Sequence, residues 1–136
     1  MEAKQFLKQY QVTRARISNM ETTVQDMEDL LEKVTATTEG ERVQTSGPKD
    51  KIGDLIARIM DYRDEIMREW SRSLDQLAEI EAVIAQVDDS RLQRILHMRY
   101  IERKKWEEIA VDLGIDYRWT LRLHGKGLEK IKDLIN

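Results

Sequence analysis

At 136 residues the chain has room for one modest domain, or a small domain with an extended element. Charged residues make up 36%, aromatics 6%, and proline occurs once, a composition that suits long solvated helices better than a compact β-rich core. The lack of cysteine excludes disulfides and thiolate chemistry and fits a reducing cytosol.

No apolar run approaches the ~20 residues a membrane-spanning helix needs, and the first residues lack a secretory apolar region, so a cytoplasmic protein without membrane contact is expected. The net charge of −3 hides an asymmetry. Residues 1–87 carry 12 Lys+Arg against 17 Asp+Glu, a balance of −5, and residues 88–136 carry 11 against 9, a balance of +2. Any polyanion contact is therefore expected in the C-terminal part.

The first segment, from about Glu2 to Thr38, repeats Ala3, Phe6, Tyr10, Thr13, Ile17, Met20, Val24, Met27, Leu31 and Val34 in steps of three and four. This is a heptad seam on a helix of roughly 50 Å, too long to be enclosed by so small a protein, so it must pair with another helix. Residues 39–49, EGERVQTSGPK, are expected to form a chain-reversing loop around Gly40, Gly47 and Pro48. A second segment, Lys49 to Val87, carries the seam Ile52, Leu55, Ile59, Tyr62, Ile66, Trp70, Ser73, Leu77, Ile80, Ile84 and Val87, with a stutter between Ile66 and Trp70. An antiparallel coiled-coil hairpin over residues 1–87 is the simplest solution; pairing of each helix with its copy in a dimer satisfies the pattern too. Met20, Met27, Met60 and Met67, on or beside the seams, are read as core filling in preference to an adaptable partner groove.

Asp88-Asp89-Ser90 ends this helix and starts the next, with Ser90 and Gln93 in the S-x-x-Q spacing of a capping box. A second domain is expected over 88–136. Its first helix carries Leu92, Ile95, Leu96, Arg99 and Tyr100 to about Glu102. A short helix, Trp106 to Leu113, stops at Gly114, and Asp116 can cap a last helix that runs to the C-terminus. Two helices joined by a tight Gly-containing turn predict a helix-turn-helix, making the fold class all-α: a long hairpin followed by a three-helix helix-turn-helix domain.

The stretch MRYIERKKWEEIAVDLGIDYRWTLRLHGKGLEKI resembles region 4 of bacterial sigma-70-type factors through Arg99, Tyr100, Glu102, Trp106, Glu108, Ile109, Ala110, Leu113, Gly114, Leu123, His124 and Leu128. It is most similar to small phage and prophage transcriptional regulators with such a tail, of the ArpU-like type. The resemblance spans about 45 residues and implies promoter DNA binding and control of late phage genes in a bacterial host cell. The chain departs from that pattern at four positions. Arg103 stands where Gly is usual, Lys105 where Ser or Thr caps the helix, Thr120 where Val faces the core, and Gly127 where Ala is usual. The last is expected either to weaken the helix or to permit close helix packing.

In a helix-turn-helix the exposed start of the last helix reads the major groove. Tyr117, Arg118, Trp119, Leu121 and Arg122 are the candidates, with Lys126 further along. Arginine can bond guanine O6 and N7 together, and leucine or aromatic edges can pack on thymine methyls, which makes Arg118 and Arg122 the expected base readers. Lys104, Lys105 and Lys126 are expected to hold phosphates. Against these stand plainer readings: a solvated helix face for the two arginines, and packing against the hairpin or a partner for Trp119.

No H-E-x-x-H, cysteine or phosphate-loop motif is present, and neither His97 nor His124 has a partner at metal-ligand spacing. No enzymatic role, cofactor or metal is expected. The expected partner is double-stranded DNA, with the hairpin serving homodimerisation or docking on RNA polymerase. The alternatives are a DNA-packaging component resembling a small terminase subunit, and a pure protein-interaction module.

Overall fold

A computed structural model describes the backbone of residues 1–38 and 46–136 and the side chains of residues 1–37 and 50–136. Regular structure among the described residues is entirely helical: α1 (Ala3–Thr38), α2 (Ser46–Ala85), α3 (Ser90–Tyr100), α4 (Trp106–Leu113) and α5 (Tyr117–Ile135). Helix α2 begins at Ser46, so residues 46–49 of the expected loop are helical instead. Pro48 then lies in a first turn, where a missing N–H removes no helical bond. The rest of that loop, residues 39–45, lies outside the described residues. No described helix is long and apolar enough to cross a membrane.

The heptad reading of both long helices holds at every seam position: each side chain is buried or half-buried. The packing divides the chain into two compact units, Arg14–Ser71 and Met1–Thr13 with Arg72–Asn136.

In the Arg14–Ser71 unit, Ile17, Val24 and Ile59 are buried. Arg16 Nη1 meets Glu69 Oε2 at 3.3 Å, and Arg63 pairs with Glu28. Partner numbers fall along α2 as they rise along α1, so these stretches run antiparallel. The Arg14 guanidinium lies 4.9 Å from the Trp70 ring centroid. Two of the four methionines depart from the core-filling expectation: Met60 and Met67 are 61% and 69% exposed, whereas Met20 and Met27 are half-buried. Seven residues apart, Met60 and Met67 share a face of α2 that lies beside the seam rather than on it.

The other unit has a different boundary from the one expected at residue 88. Its core joins Ala3, Phe6, Leu7 and Tyr10 of α1 to Ile80 and Ile84 of α2, and to Leu92, Ile95, Leu96, Met98, Ile109, Leu123 and Ile131 of the last three helices. Three short helices alone expose too much surface relative to their core, and the ends of the two long helices supply the missing apolar layer. Leu7, beside the heptad seam, is fully buried because α1 meets neighbours on a wider arc than a two-helix contact requires.

The α2–α3 corner is built from sequence-local chemistry with reassigned roles. The N-cap of α3 is Asp89, not Ser90: its Oδ1 accepts from the N–H groups of Arg91 at 2.9 Å and Leu92 at 3.1 Å. A carboxylate is the stronger acceptor and favours the positive end of the helix dipole. Gln93 does not close a capping box. Its Nε2 lies 3.0 Å from Ala85 O, with Ile84 O and Val87 O at 3.3 and 3.4 Å, and so satisfies carbonyls at the end of α2.

Candidate nucleic-acid interface

Helices α3, α4 and α5 pack on one another within the unit that contains them. Helix α4 ends at Gly114, which adopts φ 64° and ψ 34°, a left-handed conformation that glycine takes without a Cβ penalty. Gly114 N donates to Val111 O and Ile115 N to Ala110 O, both at 3.1 Å, closing the end of α4 and redirecting the chain into α5. Asp116 is the N-cap of α5 as expected, although its carboxylate makes no capping bond; Thr120 Oγ1 instead donates to Asp116 O at 2.9 Å. That bond satisfies the Thr120 hydroxyl in its fully buried position.

The α3–α4 turn carries the three consecutive cations, and the structure gives them different surroundings. Arg103, where the sigma-type pattern has glycine, has φ 59°, and among the described residues it is the one non-glycine with positive φ. A residue with a Cβ in this left-handed conformation costs about 1 kcal/mol relative to glycine. Lys104 Nζ is 2.7 Å from Asp112 Oδ2 and 3.7 Å from Glu102 Oε1, and the Asp112 bond raises its pKa. Among the three cations, Lys104 is the one with acidic partners among the described residues. Lys105 is exposed at the N-cap of α4, where its N–H lies 3.4 Å from Glu108 Oε1. Glu102 also meets His97 Nδ1 at 2.7 Å and Arg94 Nη1 at 3.2 Å, and the His97 bond, then Arg94 and Lys104, hold its carboxyl below the ordinary value.

The six expected α5 residues, Tyr117, Arg118, Trp119, Leu121, Arg122 and Lys126, are all exposed. Arg118 and Arg122 stand one turn apart on the same face. Lys126 Nζ lies 5.4 Å from the Trp119 ring centroid, so the indole has a cation over it within its own helix. The opposite face of α5 is core: Thr120, Leu123, Gly127 and Ile131 are buried.

Beneath this surface lies an aromatic cluster that sequence reading did not assemble. Tyr100 Oη and His124 Nε2 are 2.7 Å apart and buried. The Trp106 ring meets His124 edge-on at 4.4 Å between centroids, and the Arg99 guanidinium lies 4.6 Å from the Trp106 centroid. Arg99 Nη1 also donates to Lys104 O at 3.0 Å, and Gln11 Nε2 of α1 donates to Arg99 O at 2.8 Å. Burial raises the Tyr100 hydroxyl to about 12. Burial, then the charges of Lys4, Arg99 and Lys8, push His124 down to about 4. Both rings are neutral at ordinary pH and lock α3, α4 and α5 together. Tyr100 and His124 were legible as motif matches, but nothing in the spacing announced their bond, and Gln11 carries no sequence signal.

Among the described residues no group of three His, Asp or Glu side chains is arranged to hold a metal ion. No curated protein and no solved structure matches the chain. A family model does match, over residues 31–126, from the last two turns of α1 through the first half of α5. The chain therefore belongs to the family described as "Protein of unknown function (DUF1492)".

Proposed function

We propose that the protein is a sequence-specific DNA-binding transcriptional regulator of phage or prophage genes. In this reading α4 and α5 are a helix-turn-helix, α5 enters the major groove, and α1 and α2 form an antiparallel coiled-coil hairpin for dimerisation or partner docking. The single observation that carries it is the asymmetry of α5. One face is core, and the other presents Arg118 and Arg122 one turn apart, flanked by Tyr117, Trp119 and Leu121, just after a short helix and a left-handed glycine turn. Neither arginine makes an ion pair or hydrogen bond among the described residues. Exposed, unsatisfied guanidinium groups beside apolar edges are what recognition of guanine and thymine requires. Lys105 and Lys126 supply phosphate contacts, which orient the protein without reading sequence.

The test is selection of bound fragments from a random duplex library by the purified protein, repeated with Arg118→Ala. The parent should enrich a defined motif, and the variant should lose preference at one position, at about 1–3 kcal/mol per lost bidentate contact. Folded protein that retains no duplex at 50 mM salt would end this reading.

A further inference from the structure

The first turns of α1 carry Lys4 and Lys8, one helical turn apart, both exposed and neither engaged by an acidic side chain among the described residues. Residues 1–13 contain a single acidic residue, Glu2, whereas 16 of the 17 Asp+Glu of residues 1–87 lie after it. This short stretch therefore departs from the acidic character of the helix pair to which it belongs by sequence.

Three observations tie it to the surroundings of α5. Phe6, Leu7 and Tyr10 share a buried cluster with Leu123 and Ile131 of α5. Gln11, one turn beyond Lys8 on the same face of α1, donates to Arg99 O at 2.8 Å and so fixes α1 against the end of α3. The charges of Lys4 and Lys8 also help to lower the pKa of His124, after the larger effect of burial. On α5, His124 follows Tyr117 and Leu121 by seven and three residues, so all three lie along one strip of the helix. Lys4 and Lys8 thus stand on the side of α1 that Gln11 fixes to the end of α3, in the same packed unit as α5.

We propose that Lys4 and Lys8 are a phosphate-holding arm of the interface, contacting the backbone of duplex DNA beside the groove that α5 enters. The inference rests on the DNA-binding reading above and adds to it a surface contributed by the opposite end of the chain. Mobile ammonium groups suit this task, because a phosphate contact needs charge and reach rather than a fixed fork. The arm lies outside residues 31–126, the part that matches the family model.

The experiment measures binding of the full chain to a 30-base-pair mixed-sequence duplex across a salt series. It compares the parent, Lys4→Ala/Lys8→Ala, Arg118→Ala/Arg122→Ala, and the charge-matched control Lys33→Ala/Lys51→Ala. Loss of two phosphate contacts should weaken binding about tenfold or more at low salt and reduce the slope of log K against log salt by up to about 2. The control should bind as the parent does. Parent-like affinity and slope in the Lys4/Lys8 variant overturn the arm while leaving the DNA reading intact. So does weaker binding with an unchanged slope, which would mean a structural effect. A parent that fails to bind the duplex, when its circular dichroism shows it folded, overturns both.

Discussion

His124 shows how a single residue couples sequence, packing and solution behaviour. It matches the sigma-type pattern by position, yet its role here follows from burial beneath Tyr100 and Trp106 and from the cations Lys4, Lys8 and Arg99 nearby. In the unfolded chain a histidine titrates near 6.5; in the fold His124 is pushed down to about 4. Between these values the unfolded chain binds the extra proton, so the contribution is fully present above about pH 6.5 and is lost as pH falls towards 4. A shift of this size corresponds to roughly 3 kcal/mol in full, most of it lost by about pH 4.5. Urea unfolding at pH 7 and pH 4.5 should show a loss of that order in the parent, and His124→Gln should flatten the difference. Asp89 makes a related point about chemistry that local spacing obscured. The S-x-x-Q pattern was real, but a carboxylate one residue earlier outcompeted the Ser90 hydroxyl for the same N–H groups, and Gln93 found better acceptors on α2.

At the scale of elements, α5 carries two interior glycines that sequence alone cannot tell apart. A Cβ on Gly125 would meet nothing within 4 Å, whereas one on Gly127 would lie 3.2 Å from Leu96 Cγ and 3.3 Å from both Leu96 methyls. Leu96 is fully buried and has little freedom to yield. Gly127 therefore permits the close approach of α3 and α5, which decides between the two expectations stated for it. Gly125→Ala should stabilise the protein by about 1 kcal/mol through helix propensity. Gly127→Ala should instead destabilise it by about 1 kcal/mol, because crowding of Leu96 exceeds the same propensity gain. Chemical denaturation of the two variants, with opposite shifts of midpoint, checks the assignment.

At the scale of the whole molecule, the start of the chain belongs structurally with its end. Phe6 and Leu7 are buried in the same cluster as Ile95, Leu96 and Leu123. A protein beginning at residue 14 should therefore lose the cooperative unfolding of its C-terminal helices, since each large core side chain removed costs about 2–5 kcal/mol. Phe6→Ala in the full chain is the milder version and should lower stability by about 3 kcal/mol in urea unfolding. If a chain starting at residue 88 unfolded as cooperatively as the full protein, α3–α5 would be an autonomous domain and the ends of the long helices would be dispensable to it.

Periodicity made the helices legible. Apolar steps of three and four locate both seams, Gly114 needs a left-handed turn that its position already announces, and the alternation of core and exposed residues on α5 is written in its sequence. These are local properties, governed by backbone sterics and by which side chains a helix aligns on one face. Tertiary structure alone decided what each face meets. It brought Leu7 and Gln11 to the C-terminal helices, committed Lys104 to Asp112, left Met60 and Met67 outside the core, and buried His124 against Tyr100. Those outcomes depend on residues tens of positions apart competing for the same space and the same hydrogen-bonding groups, and no repeat within a single helix encodes that competition.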